Sequence, residues 1–362
     1  MTTDNSILIQ KAQSSQLVSG EGFAPVAELL QAEKEIFVVY DRNVSDAAEK
    51  LMGTLREISG GALRGSMGIE ATEEGKSMET VLSICRSLLE ADASRHAFLL
   101  ALGGGITTDL TGFVAATYKR GIRYGNIPTT LLAQVDAAIG GKTGVNLDGY
   151  KNMVGAFHLP QFTYLSADVL ETLPPAIFRE GISELLKTFL IADGAVYEAA
   201  CRFFAKAQNE KGADEKSTLL TLIRRAAQIK ANIVQRDPFE AGERAKLNLG
   251  HTFAHAIEHE AALRGEQLSH GEAVGIGTLL AARLSERLGV AEKGLAARLK
   301  ADYQSIGLST ESPYPVQGLL PAMGKDKKAA GGRVKFVLPV RPGEVVLEEL
   351  SMATVDSSLR SE

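Results

Sequence analysis

The stretch His96-Ala-Phe-Leu-Leu-Ala-Leu-Gly-Gly-Gly-Ile-Thr-Thr-Asp109 joins an apolar run to three consecutive glycines and then to a segment of helical character. A short apolar run that ends at a glycine turn is typical of a strand buried on both faces of a parallel sheet. Glu35-Ile-Phe-Val-Val-Tyr40 and Gln161-Phe-Thr-Tyr-Leu-Ser166 are similar runs, and Met78–Ala91 has helical spacing. Strands that alternate with helices predict an α/β layer around a parallel sheet.

After Thr172-Leu-Pro-Pro175 the pattern changes to successive helical segments. Because proline cannot continue a helix but suits its first turn, this pair favours a boundary. Two β-like runs, 334–340 and 344–348, follow the helices. We therefore predict an α/β domain at residues 1–170 and a mainly helical domain at 171–362. The predicted helices are Gly181–Ile191, Tyr197–Ala207, Ser217–Gln235, Thr252–Leu263 and Ala273–Leu288.

The composition of the 362 residues, 45% hydrophobic and 23% charged, is that of a soluble globular chain of two-domain size. A net charge of −5 disfavours a nucleic-acid partner, which needs a basic face. The chain lacks a long apolar run and an export signal, so we expect a cytoplasmic protein without a membrane partner. Cys85 and Cys201 lie apart in apolar helical contexts, which argues against disulfides and thiolate zinc sites.

Four of the six histidines, His251, His255, His259 and His270, fall within one short window. Neutral imidazole is a common zinc ligand, and residues four apart share one face of a helix, so His251 and His255 could hold one ion. The window is not a zincin motif, because Thr252 stands where that motif has its general-base glutamate. From the residues alone, a metal site and a half-polar helix surface both remain open.

The glycines at 103–105 follow a strand and precede a helical segment. Glycines let backbone amides approach a pyrophosphate, and a helix N-terminus favours anionic oxygens. The run is not a G-x-G-x-x-G fingerprint, so a plain tight turn is the alternative. Asp41, at the end of the first predicted strand, could accept hydrogen bonds from a ribose or could cap a helix.

Several basic residues stand in polar segments. Gly-Gly-Lys142-Thr lacks the spaced first glycine of a P-loop, so we reject the NTPase interpretation. Lys142 and the Lys151-Asn152 pair could bind an anion or lie in exposed loops. Glu184 and Lys187, three residues apart, are most simply a surface ion pair. Arg244, Lys246 and Asn248 bring cationic and amide donors up to His251, or form a solvated loop.

Taken together and in this order, these segments resemble the dehydroquinate synthase family of sugar-phosphate cyclases. The resemblance runs from about residue 36 to residue 338, and several ordered motifs are far more specific than any one of them. The motifs are Gly-Gly-Gly-x-x-x-Asp at 103–109, Gly112–Gly121, Ile127–Leu132, Val135–Gly144, Lys151-Asn152, Thr172-Leu-Pro174, Glu184-x-x-Lys187, Leu247–Thr252, His270–Val274 and Asp326–Lys328.

The resemblance implies an α/β nucleotide-binding domain followed by a mostly α-helical metal-binding domain, with NAD+ between them. It implies a divalent metal, usually Zn2+ with Co2+ as the alternative, held by Glu184, His251 and His270, with His255 as an acid/base or phosphate-side group. In this family 3-deoxy-D-arabino-heptulosonate 7-phosphate is oxidised transiently by NAD+, loses phosphate, is reduced again and closes by an intramolecular aldol step. The product, 3-dehydroquinate, belongs to the shikimate pathway of aromatic amino acid biosynthesis, and a homodimer is expected.

The resemblance also assigns contacts. The substrate would be surrounded by Lys142, Asn152, Lys187, Lys230, Arg244, Asn248 and one of Lys327 or Lys328, with Arg120 reaching its phosphate across a dimer interface. The NAD+ contacts would be Asp41, Asn43, Glu73, Lys76, Gly103, Gly104, Gly105, Asp109, Thr129, Thr130 and Asp136, together with Lys142 and Lys151.

Two departures from the family pattern stand out. Thr108 precedes Asp109 where many members carry glycine, and Pro175-Ala-Ile-Phe178 intervenes before the Arg-Glu pair. Three alternatives remain: a sibling cyclase acting on sedoheptulose 7-phosphate or glucose 6-phosphate, a metal- and NAD-dependent polyol dehydrogenase, and a non-catalytic sensor. Net production of NADH would distinguish the dehydrogenase from a cyclase.

Overall fold

A six-stranded parallel sheet forms the core of the N-terminal half. The computed structural model describes residues 14–59, 61–207, 213–324 and 333–360. The strand order is β1-β8-β5-β4-β2-β3. The strands of this sheet are β1 (Gln16–Ser19), β2 (Ile36–Asp41), β3 (Leu63–Ile69), β4 (Phe98–Gly103), β5 (Arg123–Pro128) and β8 (Phe162–Leu165), and its helices are α1 (Ala24–Leu29), α2 (Ser45–Ser59), α3 (Met78–Glu90) and α4 (Gly105–Thr117).

Strand β4 lies inside the sheet, between β2 and β5, and all of its residues are buried. Its side chains alternate between two apolar clusters: Leu99 packs with residues of α3 and α4, and Leu100 packs with residues of α1 and α2. A strand covered by helices on both faces needs apolar residues at every position, which explains the continuous run in the sequence. The predicted parallel α/β layer is therefore confirmed, as are the strands expected near residues 36, 98 and 162.

Sequence reasoning missed the strands β1, β3 and β5 and a two-stranded antiparallel hairpin. The hairpin consists of β6 (Lys142–Leu147) and β7 (Tyr150–Phe157). Between β5 and the hairpin, residues Ala133–Ala137 form a π-helical turn, a rare element that is frequent at functional sites. The glycine and asparagine in β5 (Arg-Tyr-Gly-Asn-Ile-Pro) hide its strand character.

The C-terminal half is mainly helical, as predicted. Its first five helices, α5 (Pro175–Ala192), α6 (Gly194–Ala207), α7 (Ala213–Arg236), α8 (His251–Leu263) and α9 (His270–Arg287), contain or closely match the predicted ones. The two β-like runs form the antiparallel pair β9 (Arg333–Arg341) and β10 (Glu344–Ser351). The helices α10 (Leu295–Ile306), α11 (Val316–Gly324) and α12 (Met352–Leu359) were not predicted. A boundary at 170/171, between β8 and α5, stays a prediction.

Helix α5 lies against the segment that follows the carboxyl end of β5. Gly181 of α5 lies so close to the segment after β5 that a Cβ on it would fall 2.5 Å from the Cβ of Leu131. Helix α9 packs against both α5 and α8. The part of the chain described here contains no helix with the length and apolarity needed to cross a membrane. Cys201 is buried and Cys85 is partly exposed.

Candidate active site

Three side chains from three packed helices converge in the C-terminal half. They are Glu184 in the middle of α5, His251 at the start of α8 and His270 at the start of α9, and one ligand atom of each lies within 4.8 Å of the others. Glu184 Oε1 is 3.7 Å from His251 Nε2 and 3.5 Å from His270 Nε2, too far for strong hydrogen bonds. This carboxylate is fully buried, and Oε1 accepts no hydrogen bond from the described residues. The gap between the three atoms has the donor set of a cation site.

His251 is held with its Nε2 atom directed at this gap. Its Nδ1 atom lies 3.2 Å from the carbonyl oxygen of Leu249, which can only accept a hydrogen bond, so Nδ1 carries the proton and Nε2 keeps its lone pair. The turn depends on Gly250, whose φ is +79° and where a Cβ would lie 2.6 Å from Thr278 Oγ1. Burial, followed by the charge of Lys187, lowers the pKa of His251 to about 3. The imidazole is therefore neutral, as a metal ligand must be.

His270 is oriented by a second carboxylate that sequence reasoning did not assign. Its Nδ1 atom is 3.4 Å from Glu258 Oε2, and Lys151 Nζ is 3.2 Å from Glu258 Oε1. Burial opposes protonation, but Glu184 and Glu258 raise the pKa of His270 to about 10. A divalent cation at Nε2 would take the place of that proton. Glu258 follows His251 by seven residues on α8, so helical periodicity could have placed both on one face.

Three further charged groups lie near the Glu184 carboxylate: the buried Lys187 and Lys230, and Asp136, whose side chain is 24% exposed. Lys187 Nζ is 2.5 Å from Glu184 Oε2, and both side chains are only 1% exposed, so the surface pair expected from their spacing is wrong. Lys230 Nζ lies 2.7 Å from Asp136 Oδ1 in the π-helical turn. Burial lowers the pKa of Lys230 despite Asp136, whereas Glu184 and Asp136 outweigh burial and raise the pKa of Lys187. Buried charges are costly, so this run indicates a site that handles charge.

The glycine turn and the hairpin meet at Lys76, which is almost completely buried. Its Nζ atom is 2.6 Å from Asp109 Oδ2 on α4 and 2.5 Å from Asn152 Oδ1 on β7. Gly104 precedes α4 without a side-chain cap from the described residues, which leaves the first amides of the helix available to an anion. The amide of Thr129 donates to Gly103 across the adjoining strands, at 2.9 Å. Glu73 accepts from Asn146 of the hairpin, at 2.9 Å.

The basic residues near His251 surround a carboxylate from the loop 237–242. Glu240 forms an ion pair with Lys142 of the hairpin, and its Oε1 accepts from Asn248 Nδ2 at 2.7 Å. Arg244, only 3% exposed, donates to the carbonyl oxygens of Pro238 at 2.6 Å and Gly140 at 3.3 Å. Neither the residue type nor its spacing gave a sign that Glu240 belongs to the site.

His255 lies one turn after His251, and its ring is 5.6 Å from that of His251 and 6.5 Å from that of His270, between centroids. With Asn248, His251 and residues of β9 and β10 it lines a cavity of about 40 Å³. The cluster thus pairs His251 with His270 of the next helix and with Glu184. The spacing suggested that His251 and His255 share one ion, but the structure groups His251 with Glu184 and His270 instead.

The other predicted residues are distributed as follows. Asp41 accepts from the amide of Asn43 at 2.9 Å, which is the capping role considered as its alternative. Thr130 accepts from the amide of Ala133 at the start of the π-helical turn. Arg120 follows the C-terminus of α4, at the opposite end of that helix from the glycine turn. Lys327 and Lys328 lie outside the described residues.

Comparison with known proteins shows the family. Family models described as 3-dehydroquinate synthase N-terminal and C-terminal match residues 66–180 and 181–329. The 3-dehydroquinate synthase of Acidithiobacillus ferrooxidans is 42% identical over 332 residues, covering 90% of this chain and 88% of the relative. That of Thermococcus kodakarensis is 43% identical over 289 residues, covering 80% and 79%. The structure of 2-epi-5-epi-valiolone synthase ValA from Streptomyces hygroscopicus subsp. jinggangensis 5008, with NAD+ and Zn2+ bound, has a TM-score of 0.86 at 28% identity and covers 98% of both chains. The chain therefore belongs to the 3-dehydroquinate synthase family.

Proposed function

We propose that this chain converts 3-deoxy-D-arabino-heptulosonate 7-phosphate into 3-dehydroquinate and inorganic phosphate, as a cytoplasmic enzyme of the shikimate pathway. The observation that carries the proposal is the convergence of the buried Glu184 with His251 and His270 beside Lys187, in a chain whose family models extend from residue 66 to residue 329. Relatives at about 40% identity bear the name of this activity.

The donor set supports a divalent cation, with Zn2+ proposed and Co2+ as the alternative. One carboxylate and two imidazoles are a typical catalytic zinc set, which leaves a further position for substrate. Glu184 Oε1 has no hydrogen bond from the described residues, and each imidazole is fixed through its Nδ1 atom, which fits a cation between them. The acceptor for Nδ1 of His251 is the carbonyl oxygen of Leu249, and the acceptor for Nδ1 of His270 is the carboxylate of Glu258. The proposed ligands are therefore Glu184, His251 and His270.

NAD+ fits the carboxyl edge of the sheet. The uncapped amides at Gly104 and Gly105 suit a pyrophosphate, and Asp41 ends a neighbouring strand where a ribose could lie. When bound, NAD+ supplies reversible hydride transfer and the metal ion supplies a Lewis acid. We propose the contacts expected from the family, namely Asp41, Asn43, Glu73, Lys76, Gly103, Gly104, Gly105, Asp109, Thr129, Thr130, Asp136, Lys142 and Lys151.

The chain's own residues would bind and orient the sugar phosphate and move its protons. Lys187 places a positive charge beside the cluster, where it can stabilise an oxyanion of the substrate. Lys230, with its pKa lowered by burial, can release a proton from Nζ more readily than an exposed lysine. His255 lines the same cavity as His251, so we assign it proton transfer. The proposed anion-binding groups are Lys142, Asn152, Arg244 and Asn248, with Lys327 or Lys328.

We also propose a homodimer. The hairpin leaves large apolar side chains unusually exposed: Leu147 is 45%, Tyr150 69%, Met153 49% and Phe157 52% exposed. Exposed apolar side chains concentrated on one hairpin are commonly covered by another subunit. Arg120 lies at the far end of α4 from the glycine turn, so within one chain it is poorly placed for the site.

The dimer is tested by complementation. Arg120→Ala and His270→Ala should each be inactive, and a randomly reassembled mixture should regain about a quarter of the wild-type activity, because each mixed dimer holds one intact site. Analytical ultracentrifugation gives the oligomeric state. A monomer, or a mixture without regained activity, would contradict the trans role of Arg120.

The activity is tested by incubating the protein with NAD+, Zn2+ and 3-deoxy-D-arabino-heptulosonate 7-phosphate while phosphate and NADH absorbance are followed together. Phosphate release without lasting NADH is expected, because the hydride returns to the product. NADH that accumulates on a polyol would contradict the proposal in favour of a dehydrogenase. Phosphate release only from sedoheptulose 7-phosphate or glucose 6-phosphate would contradict the proposed substrate.

A further inference from the structure

The loop 237–242 directs a carboxylate into the basic part of the site. Glu240 engages Lys142, from the N-terminal half, through Oε2 and Asn248, from the C-terminal half, through Oε1. Its charge also acts on the buried Arg244, opposing the effect of burial on the pKa of that guanidinium. Three proposed substrate-binding groups therefore surround one carboxylate that belongs to the protein itself.

Hydrogen bonds within the segment hold the loop 237–242, and with it the position of the Glu240 carboxylate. Asp237 accepts from the amides of Ala241 at 2.8 Å, Gly242 at 2.7 Å and Arg244 at 2.9 Å. Phe239, although 74% exposed, meets the edge of Phe157 on the hairpin with ring centroids 5.5 Å apart. The hydrogen bonds of Asp237 determine the loop conformation, and the contact between Phe239 and Phe157 holds the loop against the hairpin.

The backbone of Glu240 is in the left-handed region, with φ at +60°. Glycine or asparagine suits that conformation, whereas glutamate adopts it at a cost that the surrounding contacts must offset. A strained residue whose side chain bridges two site residues indicates a functional constraint on that side chain.

We propose that Glu240 is a specificity-determining residue: in the free enzyme its carboxylate occupies the donors Lys142 and Asn248, and the phosphate group of the substrate displaces it. This inference rests on the proposed function. A carboxylate carries one negative charge and a phosphate monoester close to two at neutral pH, so a phosphate competes well for the same donors. A sugar acid without a phosphate would lack the charge needed to displace Glu240.

The donors are accessible to such a competitor. The Lys142 side chain is 54% exposed, and Asn248 lines the cavity that contains His251 and His255. Glu240 already contacts two of the proposed anion-binding groups, Lys142 and Asn248.

The test uses inorganic phosphate as the probe and the protein loaded with NAD+ and Zn2+. Glu240→Gln keeps the length of the side chain and an acceptor for Asn248 but releases Lys142 from its charge partner. We expect the dissociation constant for phosphate, measured by calorimetry, to fall about five- to tenfold. Glu243→Gln is the matched control, because Glu243 lies in the same segment but pairs with Arg236 at 2.7 Å. It should leave the constant unchanged.

Two further variants keep the test decisive. Glu240→Gly suits the backbone conformation and should show the same gain if the glutamine variant does not fold. Adding Lys142→Met to Glu240→Gln should abolish the gain. Unchanged or weaker phosphate binding in both Glu240 variants, or an equal gain in Glu243→Gln, would overturn the proposal. Phosphate binding needs no turnover, so the two failures are distinguishable: a gain in a protein without cyclase activity would refute the proposed function and support only the competition between Glu240 and phosphate for these donors, whereas loss of the gain in an active enzyme would refute the role of Glu240.

Discussion

Replacing Glu184 with glutamine should reveal both proposed roles of this buried carboxylate, as the counter-charge of Lys187 and as a metal ligand. The change keeps the shape of the side chain but leaves Lys187, 2.5 Å away and 1% exposed, without its closest counter-charge. Removing one partner of a buried ion pair costs about 3–5 kcal/mol, and because Asp136 still acts on Lys187 we expect about 3 kcal/mol. If the 362 residues unfold as a unit, an unfolding entropy of about 0.76 kcal/mol/K converts this into a Tm lower by about 4 °C.

The assay compares the thermal unfolding of chelator-treated wild type and Glu184→Gln, and then their zinc content after reconstitution. The variant should be less stable without metal and should retain no zinc, since it has lost the anionic ligand. A double variant with Lys187→Met should regain most of the Tm but no zinc, because removing both charges of a buried pair is often neutral. An unchanged Tm together with stoichiometric zinc in Glu184→Gln would refute the reasoning.

Three further outcomes are expected. Zinc uptake at pH 8 should release about one proton, because His270, with a pKa of about 10, is protonated at that pH; calorimetry in two buffers measures the release. In the metal-free protein the stabilisation from the charge of His270 is fully present below pH 6.5 and is lost as the pH rises through 10. Glu258→Gln should release zinc to a chelator about tenfold faster, whereas Glu260→Gln, which only loses a surface pair with Arg264, should match wild type. Gly250→Ala should lower both Tm and zinc affinity, by about 1–3 kcal/mol in stability, because alanine is strained at φ +79°. No proton release, equal zinc release rates and an unaltered Tm would contradict these in turn.

Elements with strong periodicity or an unbroken apolar run could be predicted from the sequence, as β4 and the helices α5 to α9 show. The strand β5 could not, because its stability comes from pairing with β4 and β8 and not from its own residues. The helices α10 to α12 were not predicted, although the sequence holds boundary signals for two of them: Gly307 follows α10 in the left-handed conformation, and Ser351 caps α12. The local sequence pattern was therefore sufficient to predict elements in which buried positions recur regularly along the chain.

The site was harder to predict than the fold. Spacing within one helix suggested that His251 and His255 share an ion, but Glu184 and His270 come to His251 from separate helices, which only tertiary packing brings about. The same spacing rule made Glu184 and Lys187 a surface pair, although α5 is buried on all sides at that level. Resemblance to a family pointed to the right neighbours because it carries information about packing that periodicity lacks. It gave no role to Glu240 or Glu258.

Among the described residues, two ion pairs join the hairpin β6–β7 to the C-terminal half beside the Phe157–Phe239 contact: Lys142–Glu240 and Lys151–Glu258, with lysine side chains 54% and 57% exposed. At an ionic strength of about 0.1 M the screening length is about 10 Å, and it shortens as salt is added. The pair of Glu184 and Lys187 is shielded from these mobile ions by the protein. Rising salt should therefore loosen the hairpin long before it disturbs the histidine cluster, which makes the hairpin the part of the site that responds to the ionic medium.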